Sequence, residues 1–549
     1  MASDEARVRV ARTSLTRSAL PLLTFRPVTA VLSAAAIGFV VGLWTIRARF
    51  GLHQPSLVDD WYSIDYSPRA FHELIHLHYG HPPVDSPQRY RPTYVAVWNY
   101  LQWHTFGGSI VAANAWNLIR LALFALSLAG ASVAVNWRVL RGAWLVAVGL
   151  LPAVLVLTTP GTAVDFARFG PGDPQLIAAL IGGGLLLILA LRRVLNPRIT
   201  RRGRDHAGTV AMTVIGSMLF LFGAYMKEAS VFIIVLTPFL YIWLDRSWKE
   251  DGIINRSLWR HRSAQGLALL IAAPLAHVAY HSVTIAERGR TVYTSSPTGV
   301  TGWATSFLTS FKLQLLGDPS RLQTYLWLVL SPLLPILIIL FGWSRRRIPW
   351  LCAGLVLTAW AFGTFQIMGG AEPSRYFISG LALEGLAISI LVARTRPPTR
   401  GIVIFFTVIL VSLSGARHAV AAWTRLELDG AAVVNQASQL HPSTCRVFLA
   451  NFDPERQTAL GRLIRNDSSD SQPGGCEEGF DAVLLDWQAR SLLHQPIAMA
   501  CVKPGWILLH SSRAADLYGC SRTDETKTAV LRSNRLLPAT NLGEPRLFH

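Results

Sequence analysis

The chain reads as a polytopic α-helical membrane protein with about eleven transmembrane helices and a C-terminal extracytoplasmic α/β domain. Three observations predict this. Of 549 residues, 51% are hydrophobic and only 15% are charged, and the apolar residues fall in long runs. Arginines gather in the short connectors between alternate runs. The last 130 or so residues turn polar and carry four of the five cysteines.

The first run, Val28 to Ile46, has no charge over nineteen residues, enough to cross the hydrocarbon core as a helix. A signal peptide has a shorter apolar core, so this helix is read as retained and residues 1–27 as a cytoplasmic segment. Asp4 and Glu5 argue against an amphipathic pre-sequence there. The expected spans are 28–47, 109–134, 144–160, 175–191, 208–226, 229–244, 263–281, 323–342, 350–368, 376–393 and 401–420. The break at Tyr225-Met226-Lys227-Glu228 decides the topology, because one continuous element there would invert everything downstream.

Charge supports the break. With the N-terminus inside, the inner connectors carry Arg138 and Arg141, then Arg192 to Arg204, then Arg246 to Arg262, Arg345 to Arg347, and Arg394 to Arg400. The outer connectors are poorer, with Arg168 in one, Lys227 in another and Arg375 in a third. That is the positive-inside pattern, which puts the C-terminal domain outside; high alanine and arginine content points to a GC-rich bacterial genome, so the expected setting is a bacterial inner membrane. The net charge of +19 is therefore an orientation signal. No zinc-finger spacing, recognition helix or RNP-like aromatic pattern accompanies it, so nucleic acid is excluded as a partner.

Residues 28–420 form the membrane domain, and 421–549 the soluble domain. Strand-like runs there are Arg446–Ala450, Ala482–Leu485 and Trp506–His510, separated by Gly, Pro and Ser. Cys445, Cys476, Cys501 and Cys520 are an even number in an external domain, which allows two disulfides in three pairings. Cys352 lies in a span and is read as a small apolar group. The chain shows no repeat of fixed period, and a monomer is expected.

The first outer segment, 48–108, concentrates the chemistry. It holds Asp59-Asp60-Trp61, then His72, His76, His78 and His81-Pro82-Pro83, then Arg91-Pro92. Adjacent carboxylates repel, and they stay charged only beside cations or several donors. One can then serve as a general base while the other orients it or binds a cation. The bland alternative is a solvated turn, the commoner fate of an Asp-Asp pair. The histidines lack a His-Glu-x-x-His spacing, so oxygen ligation of Mg²⁺ or Mn²⁺ by Asp59 and Asp60 with a phosphate is the better metal reading. Outer basic groups, among them Arg91, Lys227 (beside Glu228) and Arg375, are candidates to hold a lipid phosphate. Ordinary headgroup contact explains any single one equally well. Within the spans, Asn117 and Arg120 share a helical face, and Glu384 is a second costly intramembrane charge.

In this order, the motifs resemble the GT-C superfamily of membrane glycosyltransferases. That group includes protein O-mannosyltransferases, aminoarabinose transferases and arabinosyltransferases, which use polyprenyl-phosphate sugars. The acidic pair Asp59-Asp60 in the first outer loop, the prolines of His81-Pro82-Pro83 and Arg91-Pro92, Lys227 at the outer end of a central span, and Arg375-Tyr376 before a late span carry the resemblance. It covers roughly 28–393. Asp-Asp stands where several members have Asp-Glu. The resemblance implies a GT-C-like fold, a catalytic Asp59 and Asp60, and a donor site drawing on His81, Arg91, Lys227, Glu228, Arg375 and Tyr376. It implies a polyprenyl monophosphate sugar as donor and a glycan, lipid or protein as acceptor. The competing reading is a transporter or flippase of a lipid-linked or anionic solute, whose mark would be a polar path through the spans faced by Arg120 and Glu384.

Overall fold

A computed structural model describes residues 27–46, 93, 110–158, 166, 172–196, 206–279, 336, 338, 350–368, 378–395, 401–410, 412–413, 447–450, 482–486, 507–511 and 515–519. In chain order the helices are α1 (Pro27–Ile46), α2 (Ile110–Asn136), α3 (Ala143–Leu157), α4 (Asp173–Leu195), α5 (His206–Ala224), α6 (Ile233–Glu250), α7 (Arg262–Ile271), α8 (Trp350–Met368), α9 (Ile378–Arg394) and α10 (Gly401–Leu410). Among the described residues, five helices are long and apolar enough to cross a membrane: α1, α2, α4, α5 and the stretch from Ala229 to Glu250. Their outward faces are apolar too. Met218 is 68% exposed and Val28 68%. A helix apolar on all sides needs an apolar surrounding, so this is a multi-pass membrane protein.

Contacts between side chains fix the direction of each helix. Thr45 Oγ1 donates to Leu157 O at 2.9 Å, and a Cβ on Gly149 would meet Ala34, so α1 and α3 run parallel. Gly42 abuts Leu121 and Gly38 abuts Ala125, so α2 runs against α1. In the α4–α5 pair, Gly183 faces the backbone of Gly216 and Phe220, while Gly223 faces Leu176 and Leu180. The order is reversed, hence antiparallel, and the glycines let the two backbones approach closely, as small residues do in membrane bundles. On α9, Gly385 abuts Pro152 of α3 and Gly380 abuts Ala359 of α8; Phe232 and Phe239 meet Phe362 and Trp350 of α8 in reverse order. The bundle therefore has two distinct ends.

One end is the arginine end. Arg138, in the α2–α3 connection, forms a two-pronged pair with Asp251 just beyond α6, and Arg192 at the end of α4 is 3.8 Å from the same carboxylate. Arg394 at the end of α9 donates to Asn136 Oδ1 at the end of α2 at 3.0 Å. The opposite end gathers the end of α5 and the start of α4, joined by an ion pair between Lys227 and Asp173.

The break after α5 is real. The helix ends at Ala224, Tyr225 and Met226 turn, and Glu228–Phe232 forms a 3₁₀ turn that leads into α6. Since α5 arrives at the Lys227 end and α6 leaves toward Asp251, the chain reverses there. Two boundaries differ most from expectation. The sixth span does not stop at Leu244: α6 continues to Glu250, because Lys249 pairs with Asp245 one turn back at 2.7 Å and Asp245 also accepts from Leu258 N at 2.6 Å. The seventh is interrupted at Ala272, since Pro274 has no N–H to give; helix resumes over 273–279. The expected eighth span lies outside the described residues except for Ile336 and Ile338, both helical.

In the C-terminal segment four strands pair in the order β1-β2-β4-β3: β1 (Val447–Ala450), β2 (Ala482–Asp486), β3 (Ile507–Ser511) and β4 (Ala515–Gly519). β1 and β2 are parallel, and β4 lies antiparallel to both β2 and β3. Three strands coincide with the expected runs. β4 was not anticipated, because Ala-Asp-Leu-Tyr-Gly is short and mixed in polarity. The four cysteines of this segment lie outside the described residues, and Cys352 is a buried free thiol in α8.

Candidate functional site

Charges cluster at the end opposite the arginines. Asp173 opens α4 with Pro174 beside it at the first turn, where proline lacks no needed donor and a carboxylate meets the helix dipole favourably. The same placement leaves its side chain at the bundle's end, 2% exposed, facing Lys227 at 7%. Lys227 lies in extended backbone between α5 and the 3₁₀ turn, and its ammonium donates to Asp173 Oδ2. The turn that carries it is braced. Ser230 Oγ donates to Ala224 O at 2.6 Å, and His277 Nδ1 approaches the same oxygen at 3.0 Å with its ring stacked on Tyr225. Thr93 N donates to Tyr225 O at 3.4 Å, which puts this one residue of the first outer segment at the turn.

A second buried cation stands at the same level. Arg120, 3% exposed in α2, donates through Nη1 to Asn117 Oδ1 at 2.6 Å, and its guanidinium lies 5.8 Å from the Phe166 ring. Phe166 packs edge-on against Phe124 at 5.5 Å. Ser127 Oγ donates to Ala178 O at 3.0 Å, and Gly182 faces the same hydroxyl. α2 and α4 run in one direction at one rise per residue, so two turns back from that contact Arg120 stands level with Asp173 and Gln175. Gln175 is buried, and among the described residues neither of its amide atoms has a partner; the same holds for Asp173 Oδ1 and Asn117 Nδ2. The end of the bundle thus combines two buried cations with unsatisfied donors and acceptors. Such a set suits an anionic, hydrogen-bonding group.

Of the residues singled out in the sequence, Lys227 stands in this cluster and Glu228 begins the 3₁₀ turn beside it. Asp59, Asp60, His81, Arg91, Arg375 and Tyr376 lie outside the described residues. In the sequence Arg91 comes two residues before Thr93, and Tyr376 two before the start of α9. Among the described residues no group of three His, Cys, Asp or Glu side chains could hold a metal ion. Asp173 and Gln175 were missed. Their signal was Pro171-Gly172-Asp173-Pro174-Gln175 leading into an apolar run, which reads as nothing more than a helix start. Glu384, 5% exposed, lies farther along α9, next to the Gly385–Pro152 contact. Neither it nor Arg120 is among the residues that line the apolar cavity of the bundle.

No family model matches the chain, and no curated relative matches it. Solved structures similar to it include ArnT from Cupriavidus metallidurans bound to undecaprenyl phosphate, 12% identical with a TM-score of 0.46, covering 89% of this chain and 97% of that one. The apo state of the same protein is 13% identical with a TM-score of 0.45 over 89% and 97%. The apo oligosaccharyltransferase of Archaeoglobus fulgidus is 13% identical with a TM-score of 0.43, covering 90% of this chain and 75% of that one.

Proposed function

We infer that the protein is a membrane glycosyltransferase of GT-C type that moves a sugar from a polyprenyl monophosphate donor to a hydroxyl of a cell-envelope glycan, lipid or protein, with inversion. The observation that supports it best is the buried Lys227–Asp173 pair, with Arg120 level with it, at the end of the bundle away from the arginines. By the positive-inside rule that end is extracytoplasmic, where a lipid-linked phosphate lies at headgroup depth. In the same reading the protein spans a bacterial inner membrane eleven times and carries residues 421–549 outside as an α/β domain.

The chemistry follows from the residue types. Asp59 takes the proton from the acceptor hydroxyl as its oxygen attacks the anomeric carbon from the face opposite the phosphate. The new carbon–oxygen bond forms as the bond to the phosphate oxygen breaks, and polyprenyl monophosphate leaves with the electron pair. Asp60 orients Asp59, and the two would be the oxygen ligands of a Mg²⁺ or Mn²⁺ ion; no step requires one. Arg375 and Lys227 hold the departing phosphate, with Arg91, Glu228, His81 and Tyr376 completing the donor site. Asp173 accepts from the Lys227 ammonium and so fixes its position; the donor phosphate would meet an ammonium already in place.

The test is transfer of radiolabelled sugar from defined polyprenyl-phosphate donors by the purified protein in membranes. Asp59→Asn is expected to abolish transfer and keep donor binding, and full activity would remove Asp59 from the role of base. Arg375→Ala is expected to raise the donor KM by about tenfold or more, the loss of one charge-assisted contact; unchanged donor kinetics would refute its assignment.

A further inference from the structure

A cavity of about 950 Å³ opens into the bundle at its arginine end, between α2, α4, α6, α8 and α9. That is at the top of the range of ordinary ligand pockets. Its walls are nearly all aliphatic and aromatic. It opens sideways as well, since its lining includes Val28, Leu123 and Val139, which are 68%, 52% and 50% exposed on the outer surface of the bundle. A hydrocarbon chain in the surrounding bilayer therefore has a lateral way in.

The charged part of the lining is mostly positive. Arg138, Arg192 and Arg394 all border the cavity, and among the described residues Glu250 is the one carboxylate that does. Asp251, off the lining, is shared by Arg138 and Arg192. Arg394 donates to Asn136 Oδ1 at 3.0 Å and to Ile390 O at 3.3 Å, both neutral oxygens. Among the described residues, three guanidiniums against two carboxylates leave one positive charge at the mouth of an apolar chamber. A phosphodiester with two acyl chains matches both features, one negative charge on a planar fork of donors and hydrocarbon behind it.

We propose that this cavity is a binding site for an anionic phospholipid of the leaflet at the arginine end, its phosphate on Arg394 and Arg192 and its chains among α2, α4 and α8. The site lies at the opposite end from the Lys227–Asp173 cluster and does not rest on the transferase reading.

Native mass spectrometry of the full chain tests it, with dioleoylphosphatidylglycerol and dioleoylphosphatidylcholine added in equal amounts. The glycerol lipid is expected to be bound about fivefold more, the worth of one basic residue near an anionic headgroup. Arg394→Gln is expected to bring the two lipids level. Gly184 lines the cavity, and a Cβ there meets no atom of another helix within 4 Å, so Gly184→Phe puts a ring into the chamber and is expected to remove both adducts. Equal retention of the two lipids by the unaltered protein, which needs no variant, would overturn the proposal. So would undiminished binding in folded Gly184→Phe.

Discussion

Removing one member of a buried ion pair costs more than removing both, because the survivor is left charged and unpaired in a low-dielectric interior. Lys227 and Asp173 are such a pair. Lys227→Ala alone is expected to destabilise the protein by about 3–5 kcal/mol. Lys227→Met with Asp173→Leu is expected to restore most of that stability, read as thermal unfolding in detergent, and to leave sugar transfer lost. A double variant that transfers at the normal rate would confine the pair to structure. Lys227 was visible in the sequence because a lysine between two apolar runs has few other uses. Arg120 and Asn117 were visible from their three-residue spacing. Asp173 was not, since an acid before an apolar run is the ordinary chemistry of a helix N-terminus; its partner sits 54 residues on, and nothing local announces a pairing at that distance.

Between α4 and α5 the interface is backbone against backbone. A Cβ at Gly183 would come within 2.6 Å of Phe220 N and 2.8 Å of Gly216 O, and neither atom can swing aside. Gly183→Val is therefore expected to separate the two helices and lower the unfolding temperature in detergent by several degrees. Gly184→Ala, one residue along and facing open space, is expected to change it by less than a degree; equal effects of the two would mean that the close approach is not what the glycine serves. Apolar runs announced the helices because spanning a hydrocarbon layer requires them. Their ends were less legible. α6 overran its expected stop because Asp245 spends its charge on Lys249 and on Leu258 N, so polar residues that read as a loop became a last helical turn. The seventh element broke at Ala272, just ahead of Pro274, inside a run that is largely apolar. Glycine contacts such as Gly183 on Gly216 belong to pairs of helices and cannot be read from either alone.

The molecule has a cationic end and an end with buried pairs, and sidedness is the property on which its proposed activity depends. Single cysteines placed at 60 and at 252 in an otherwise cysteine-free chain are expected to react oppositely with an impermeant maleimide in intact cells, 60 labelled and 252 protected. Labelling of 252 with protection of 60 would place the acidic pair in the cytosol and end the transferase reading. The paired arrangement of α5 and α6 was foreseen from charge alone, because a single element across Lys227 would have carried Arg246 to Arg262 to the wrong side. The C-terminal sheet was foreseen in three of its strands and not in the fourth, since β4 takes its place from its neighbours β2 and β3 and has no period of its own.

Asp251 ties the α2–α3 connection and the end of α4 to the end of α6. It follows Arg192 by nearly sixty residues, so a growing chain exposes both arginines long before the ribosome has made their shared anion. In the proposed orientation those guanidiniums stand unpaired through the insertion of the first four helices, where they would favour keeping their connectors in the cytosol. Only when the third hairpin emerges does the carboxylate arrive to quench them, so the residues that steer the nascent chain become, in the finished protein, its latch.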